Sequence, residues 1–229
     1  MVGFFKFVFA FSDFQITRPI NVEKTISKTN PKKGSCAGTA YVTYDDVHVP
    51  VENILGEVNR GFQCVMYNFN HERWFIIAQL CQAMRQNYED CQLWLHSREA
   101  FGKNLFQQPV LRQFLARILA GVESVQALTE SITYQMNNLD HDTMNTLLAG
   151  PIAMLKYQAT RFAWAQADMS AQIFGGRAIT RTGLGLRIER FIRAAKYSSI
   201  LGGSEEIMAD LGARMTSKLM QKSAPFATL

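Results

Sequence analysis

From Phe62 to Leu95, apolar residues return at every third or fourth position: Phe62, Val65, Phe69, Ile76, Leu80, Met84, Tyr88, Cys91 and Leu95. That period lays them along one face of a long helix. Phe101-Gly102 punctuates its end, and Pro109 suits the start of another. Leu111, Leu115, Ile118, Val122, Val125, Ile132 and Met136 then form a second stripe. Asp140 can cap a third helix, which the pattern predicts to break or kink at Gly150-Pro151. It should resume through Met154, Phe162 and Met169 and stop at Phe174-Gly175-Gly176. A short helix over 186–197 and a last one over 205–220 complete the set. Long amphipathic helices with brief connectors predict a mainly α fold, an antiparallel helical bundle.

Before residue 59 the pattern changes. Phe14-Gln15-Ile16-Thr17 alternates apolar and polar, and the runs 40–44 and 47–51 are β-rich and separated by the turn signal Asp45-Asp46. The polar stretch 27–38, with Pro31 and Gly34, reads as a loop. So few short strands cannot make a stable sheet alone. Residues 1–58 therefore read as a partial β domain, and 59–229 as the helical bundle, with the boundary near Gly56 to Gly61. The apolar run over residues 1–11 is too short to span a bilayer. It also lacks the layout of a signal peptide.

Composition narrows the function classes. The 229 residues are 48% hydrophobic, enough for one good core and part of a second domain. Cys36, Cys64, Cys81 and Cys91 have no metal-ligand or redox spacing, and three lie in the first helical stretch. They read as reduced thiols of an intracellular protein. The four histidines suggest no metal site. A net charge of +5 suits an anionic ligand such as a nucleotide, but the cations are dispersed, which argues against nucleic acid.

Two local features carry candidate chemistry. Glu72 falls between Phe69 and Ile76 on the first apolar stripe, where a hydrophobe is expected. A buried carboxylate costs free energy, has its pKa raised toward neutral, and makes a suitable general base. The competing reading pairs it with Arg73 or turns it out at the helix edge. Further on, Gly202-Gly203-Ser204 precedes the last helix. Glycines let the backbone approach a ligand closely, Ser204 is a good N-cap, and a helix start attracts phosphate or carbonyl oxygen.

Four segments in order resemble the acyl-CoA dehydrogenase family over most of the chain. The run 38–62, with Gly38-Thr39-Ala40-Tyr41-Val42 and Asn53-Ile54-Leu55-Gly56, is similar to the family's last strands and the entry to its helical domain. Arg98-Glu99-Ala100-Phe101-Gly102-Lys103 resembles its Arg-x-x-Phe-Gly motif, and Gln172-Ile173-Phe174-Gly175-Gly176 its Gln-x-x-Gly-Gly motif. Arg193-Ala194-Ala195-Lys196 followed by Gly202-Gly203-Ser204-Glu205-Glu206-Ile207 resembles the segment leading into its final helix.

The resemblance implies an FAD enzyme of fatty acid metabolism that dehydrogenates acyl-CoA thioesters. Arg98 and Phe101 would contact the FAD pyrophosphate and adenine side. Gln172, Gly175 and Gly176 would receive the FAD of a neighbouring subunit in a homodimer or homotetramer. Gly203, Ser204 and Glu206 would lie against the flavin and its phosphates. Many members carry the catalytic glutamate where this chain has Gly202; isovaleryl- and long-chain-type members place it on the first helix, before an arginine, as in Glu72-Arg73. Glu72 would then take the α-proton while the β-hydrogen leaves as hydride to flavin N5. The Gly202 amide would stabilise the enolate oxygen, and Arg73 would make a structural or CoA-side contact. Electrons would pass to an electron-transfer flavoprotein, or to oxygen in an acyl-CoA oxidase, the first alternative. A non-catalytic helical interaction module is the second. Relative to the family, the chain is expected to be truncated at its N-terminus, with FAD binding and activity impaired. The start shows no transit peptide and Ala227-Thr228-Leu229 is no peroxisomal address, so mitochondrial, peroxisomal and cytoplasmic sites stay open.

Overall fold

The computed structural model describes residues 51–223. The strands expected over 14–17, 40–44 and 47–51 lie outside these residues, as does Cys36, except for Val51, which opens a 3-10 turn and not a strand. The chain divides between Val58 and Asn59 into two units. In the first, Val51–Asn53 forms a 3-10 turn.

Among the described residues, six helices build the second unit: α1 (Gly61–Ser97), α2 (Pro109–Asn138), α3 (His141–Leu147), α4 (Ala149–Phe174), α5 (Leu186–Ser198) and α6 (Glu205–Ser223). Helix α4 is the hub, packed against α6, α1, α5 and α2. Small residues let its neighbours close in. Ala153, Ala159, Ala163 and Ala167 are buried along it, the Phe162 ring covers Gly121 of α2, and Met154 covers Gly212 of α6. The core fills with Ile77, Leu80, Met84 and Leu95 of α1, Ile118 and Val122 of α2, Ile152 and Leu155 of α4, and Ile188 of α5. Burying each such side chain contributes about 1.5–3 kcal/mol. A polar seam ties α1 to α4 inside this core. Gln166 Nε2 donates to Met84 O at 2.8 Å and to Asn87 Oδ1 at 2.9 Å, and Ser170 Oγ donates to Asn87 Oδ1.

Between α1 and α2, strands β1 (Glu99–Ala100) and β2 (Lys103–Asn104) pair antiparallel, Glu99 opposite Asn104. Phe101 and Gly102 form the turn at φ 55° and 72°, the two positive angles that a tight hairpin requires.

Three expectations need correction. The α2 stripe is buried where the periodicity put it, at Leu115, Ile118, Val122, Val125 and Ile132. On α1 the stripe holds from Leu80 onward but shifts by one residue before it. The inward positions there are Asn70, Arg73 and Ile77, while Ile76 is half-buried and Phe62 is 74% exposed. A 3.6-residue period allows steps of three or four, and polar residues at 70 and 73 hid the true face. The third helix breaks at Leu148 rather than at Gly150-Pro151. Pro151 instead sits in the first turn of α4, where a missing N–H costs nothing. Met154 is exposed, and Phe162 and Met169 are half-buried, because alanines line the buried faces of α4.

Candidate functional site

The loop 199–204 joins α5 to α6 and turns twice through positive φ, at Gly202 (62°) and Gly203 (114°). Side-chain-bearing residues rarely adopt these angles. Ser204 caps α6 as expected, its carbonyl accepting the Met208 N–H at 2.9 Å. The Glu206 carboxyl is held below the ordinary carboxylate range by its own backbone N–H and then by the Ser204 hydroxyl. Glu205, buried in the first turn, pairs with Arg161 at 3.5 Å and Lys196 at 4.0 Å. A carboxylate at a helix start is stabilised by the helix dipole.

Two buried cations hold this loop from beneath. Arg73 Nε of α1 donates to Gly202 O at 2.9 Å, its guanidinium also lying 5.1 Å from the centre of the Phe69 ring. Burial lowers the Arg73 pKa, with the Glu72 charge acting in the opposite sense. Lys156 of α4 has no exposed surface, and its Nζ donates to Gly203 O at 2.7 Å and Ser198 O at 3.3 Å. Burial and then the Arg73 charge push its pKa down to about 8, against the pull of Glu205 and Glu72. A side chain on Gly202 would start 3.0 Å from Ile76 Cδ1 and 3.6 Å from Arg73 Cγ, so no carboxylate can enter the loop there without strain.

Glu72 is therefore brought beside the loop, but not as the stripe argument had it. It is half-buried on the flank of α1, and Arg73 occupies the inward position. The same logic of a charged residue at a core-spaced helical position does select Lys156, which lies four residues after Ile152 and four before Thr160. That spacing is the signal by which the sequence betrays Lys156, a residue no motif marks.

The second group of candidates gathers at the other end of the bundle. Arg98, Phe101, Gln172, Gly175 and Gly176 are outside the core, and Phe101 is 95% exposed. Trp94 of α1 stacks on Phe174 with ring centres 5.0 Å apart, which sets the hairpin beside the Gly175-Gly176 turn. Nothing lies within 4 Å of where a Cβ would sit on Gly102, Gly175 or Gly176. Arg98, Lys103 and Arg177 make no ion pair among the described residues. Exposed guanidinium and ammonium groups, open backbone and a bare aromatic ring fit a phosphate-bearing, ring-bearing group such as a flavin dinucleotide. From Arg73 to Ser97 along α1 is ~36 Å at 1.5 Å per residue. The two groups thus occupy opposite ends of one bundle. Arg193, within the fourth motif, instead pairs with Glu189 of its own helix, Nε to Oε1 at 2.8 Å.

Comparisons with known proteins point to one family. The family described as acyl-CoA dehydrogenase, C-terminal domain, matches residues 59–216. Acyl-CoA dehydrogenase apdG of Emericella nidulans is 36% identical over 184 residues, covering 80% of this chain and 42% of the relative. An acyl-CoA dehydrogenase of Alternaria alternata is 38% identical over 192 residues, covering 82% of this chain and 44% of the relative. Among solved structures, a probable acyl-CoA dehydrogenase from Mycobacterium abscessus superposes with a TM-score of 0.69 at 27% identity, covering 76% of this chain and 44% of that one. The chain spans less than half the length of these relatives.

Proposed function

The chain belongs to the acyl-CoA dehydrogenase family, and on that premise we propose that it serves α,β-dehydrogenation of acyl-CoA thioesters, with Glu72 as the general base. One observation carries the assignment of the base. The bond from Arg73 Nε to Gly202 O, at 2.9 Å, fastens the turn of α1 bearing Glu72 to the Gly202-Gly203 loop. The loop itself has no side chain at its two central positions. A carboxylate offered from α1 supplies the acceptor that the loop lacks.

The residues divide the work. Glu72 receives the α-proton as its electron pair moves into the new double bond, and the thioester oxygen gathers charge that amide N–H groups of the loop stabilise. Arg73 positions this helix turn and neutralises the inward carbonyl of Gly202. When bound, FAD supplies the acceptor for the β-hydrogen, which departs as hydride. Gly203 and Ser204 would lie against it, and the anionic Glu206 suits a sugar hydroxyl better than a phosphate. Arg98, Phe101, Gln172, Gly175 and Gly176 would hold the pyrophosphate and adenine side. Their distance from Glu72 within one chain supports a cofactor shared between copies of the chain, as a homodimer or homotetramer provides. Electron-transfer flavoprotein is the expected acceptor of the electrons.

Anaerobic mixing with a panel of straight and branched acyl-CoA thioesters tests this. The wild-type protein should bleach its flavin absorbance, and Glu72→Gln should do so at least ~100-fold more slowly with unchanged thermal stability. Bleaching that survives the substitution would sink Glu72 as the base. Peroxide release on reoxidation would point to oxygen as the acceptor.

A further inference from the structure

Lys156 belongs to none of the motifs above, yet the wall of the site depends on it. A fully buried ammonium is costly to hold, and among the described residues it has two carbonyl acceptors for its three N–H donors. One acceptor is the last residue of α5 and the other lies in the α5–α6 loop. The groups facing it are Arg73 and Glu72 of α1 and Glu205 of α6. Repulsion from Arg73 adds to the cost of the charge, so its placement calls for a reason beyond filling space.

Peptide geometry supplies one. In a trans peptide the C=O and the following N–H point in opposite directions. With Gly202 O drawn down to Arg73 and Gly203 O drawn down to Lys156, the N–H groups of Gly203 and Ser204 are turned away from both cations. Neither N–H has a backbone acceptor among the described residues. Two inward cations thus orient two outward donors, over the glycine pair where backbone freedom is greatest.

We propose that Lys156 is a positioning residue: by capturing Ser198 O and Gly203 O it locks the loop in the conformation that presents the Gly203 and Ser204 amides to a carbonyl or phosphate oxygen. The lock itself follows from the hydrogen bonds; that the oxygen belongs to an acyl thioester or its cofactor rests on the dehydrogenase reading. Removing the Lys156 amino group frees the Gly203 peptide to rotate and scatters the donors.

Hydrogen exchange read amide by amide on the full chain tests the lock without reference to activity. Lys156→Met keeps the apolar stem and removes the charge. Exchange over 201–206 should rise at least tenfold while amides of α2 stay as protected as before, and unchanged loop protection would overturn the proposal. Should that variant not fold, the wild-type chain serves. Between pH 7 and 9.5, loop protection corrected for intrinsic exchange should rise several-fold, because the amine keeps two N–H donors for its two carbonyls while an opened loop releases Lys156 to water, where it binds its proton more tightly; a flat or falling profile would overturn the proposal. In the flavin-loaded protein, Lys156→Met should cut kcat at least tenfold with KM for acyl-CoA within about twofold. A rise in KM at constant kcat would contradict a positioning role. Wild-type protein that never bleaches its flavin, together with a loosened loop in the variant, would refute the dehydrogenase reading and uphold the lock.

Discussion

Gly202→Ala should lower the stability of the helical unit by about 0.5–2 kcal/mol, because Gly202 sits at φ 62° with its neighbours already in contact range. The left-handed backbone alone costs a side-chain-bearing residue roughly that much. The new Cβ would also meet Ile76 Cδ1 at 3.0 Å. That atom is the far end of a flexible chain, so displacing it adds only about 0.5 kcal/mol. Reduced freedom of the unfolded chain works the other way by about 0.4–1 kcal/mol and does not cancel the strain. For a unit of this size, each kcal/mol moves Tm by roughly 2–4 °C, so a fall of about 1–8 °C is expected. Thermal unfolding followed by far-ultraviolet circular dichroism measures it. Ile76→Val in the same chain separates the two costs: removing Cδ1 should make the double variant about 0.5 kcal/mol more stable than the sum of the singles. A Tm that is unchanged or raised by Gly202→Ala would refute the claim that the loop needs glycine.

Buried groups make other expectations measurable. Lys156 holds its proton less tightly when folded, near 8 against 10.5, so between those pH values the unfolded state binds more protons and stability should rise with pH. The gain approaches ~3 kcal/mol at its upper limit, and Lys156→Met should flatten it in denaturant titrations. Burial pushes the Cys91 thiol up to about 12, so peptide mapping after iodoacetamide treatment at pH 8 should find Cys91 unmodified unless the protein is first unfolded. Gly121→Ala gains about 1 kcal/mol of helix propensity but places a Cβ inside the Phe162 ring envelope. Overpacking should win, with a net loss of up to about 2 kcal/mol that Phe162→Leu relieves.

Helix order and the α2 core were legible in the sequence because apolar spacing there is unbroken by charge. The Ser204 cap and the Gly175-Gly176 stop were legible because glycine and serine have few structural roles at helix ends. Where α1 carries Asn70, Glu72 and Arg73 on successive faces, periodicity could not decide which points inward, and the loop before α6 decided for Arg73, which is buried with its Nε on Gly202 O. The helix break at Leu148 was displaced from Pro151 because proline fits a first turn as well as it ends a helix. Both halves of the candidate site could be named from motifs, but not that they stand at opposite ends of one bundle. That separation follows from the length of α1, which no motif encodes.

Removal of the α-proton itself is the step on which the assignment of Glu72 stands or falls. Loss of label from an α-deuterated acyl-CoA, followed by mass spectrometry with the flavin-bound protein, reads the base apart from electron transfer. Wild-type protein should wash out the α-deuterium and Glu72→Gln should leave it in place. Washout at equal rates in the two proteins would contradict the role given to Glu72.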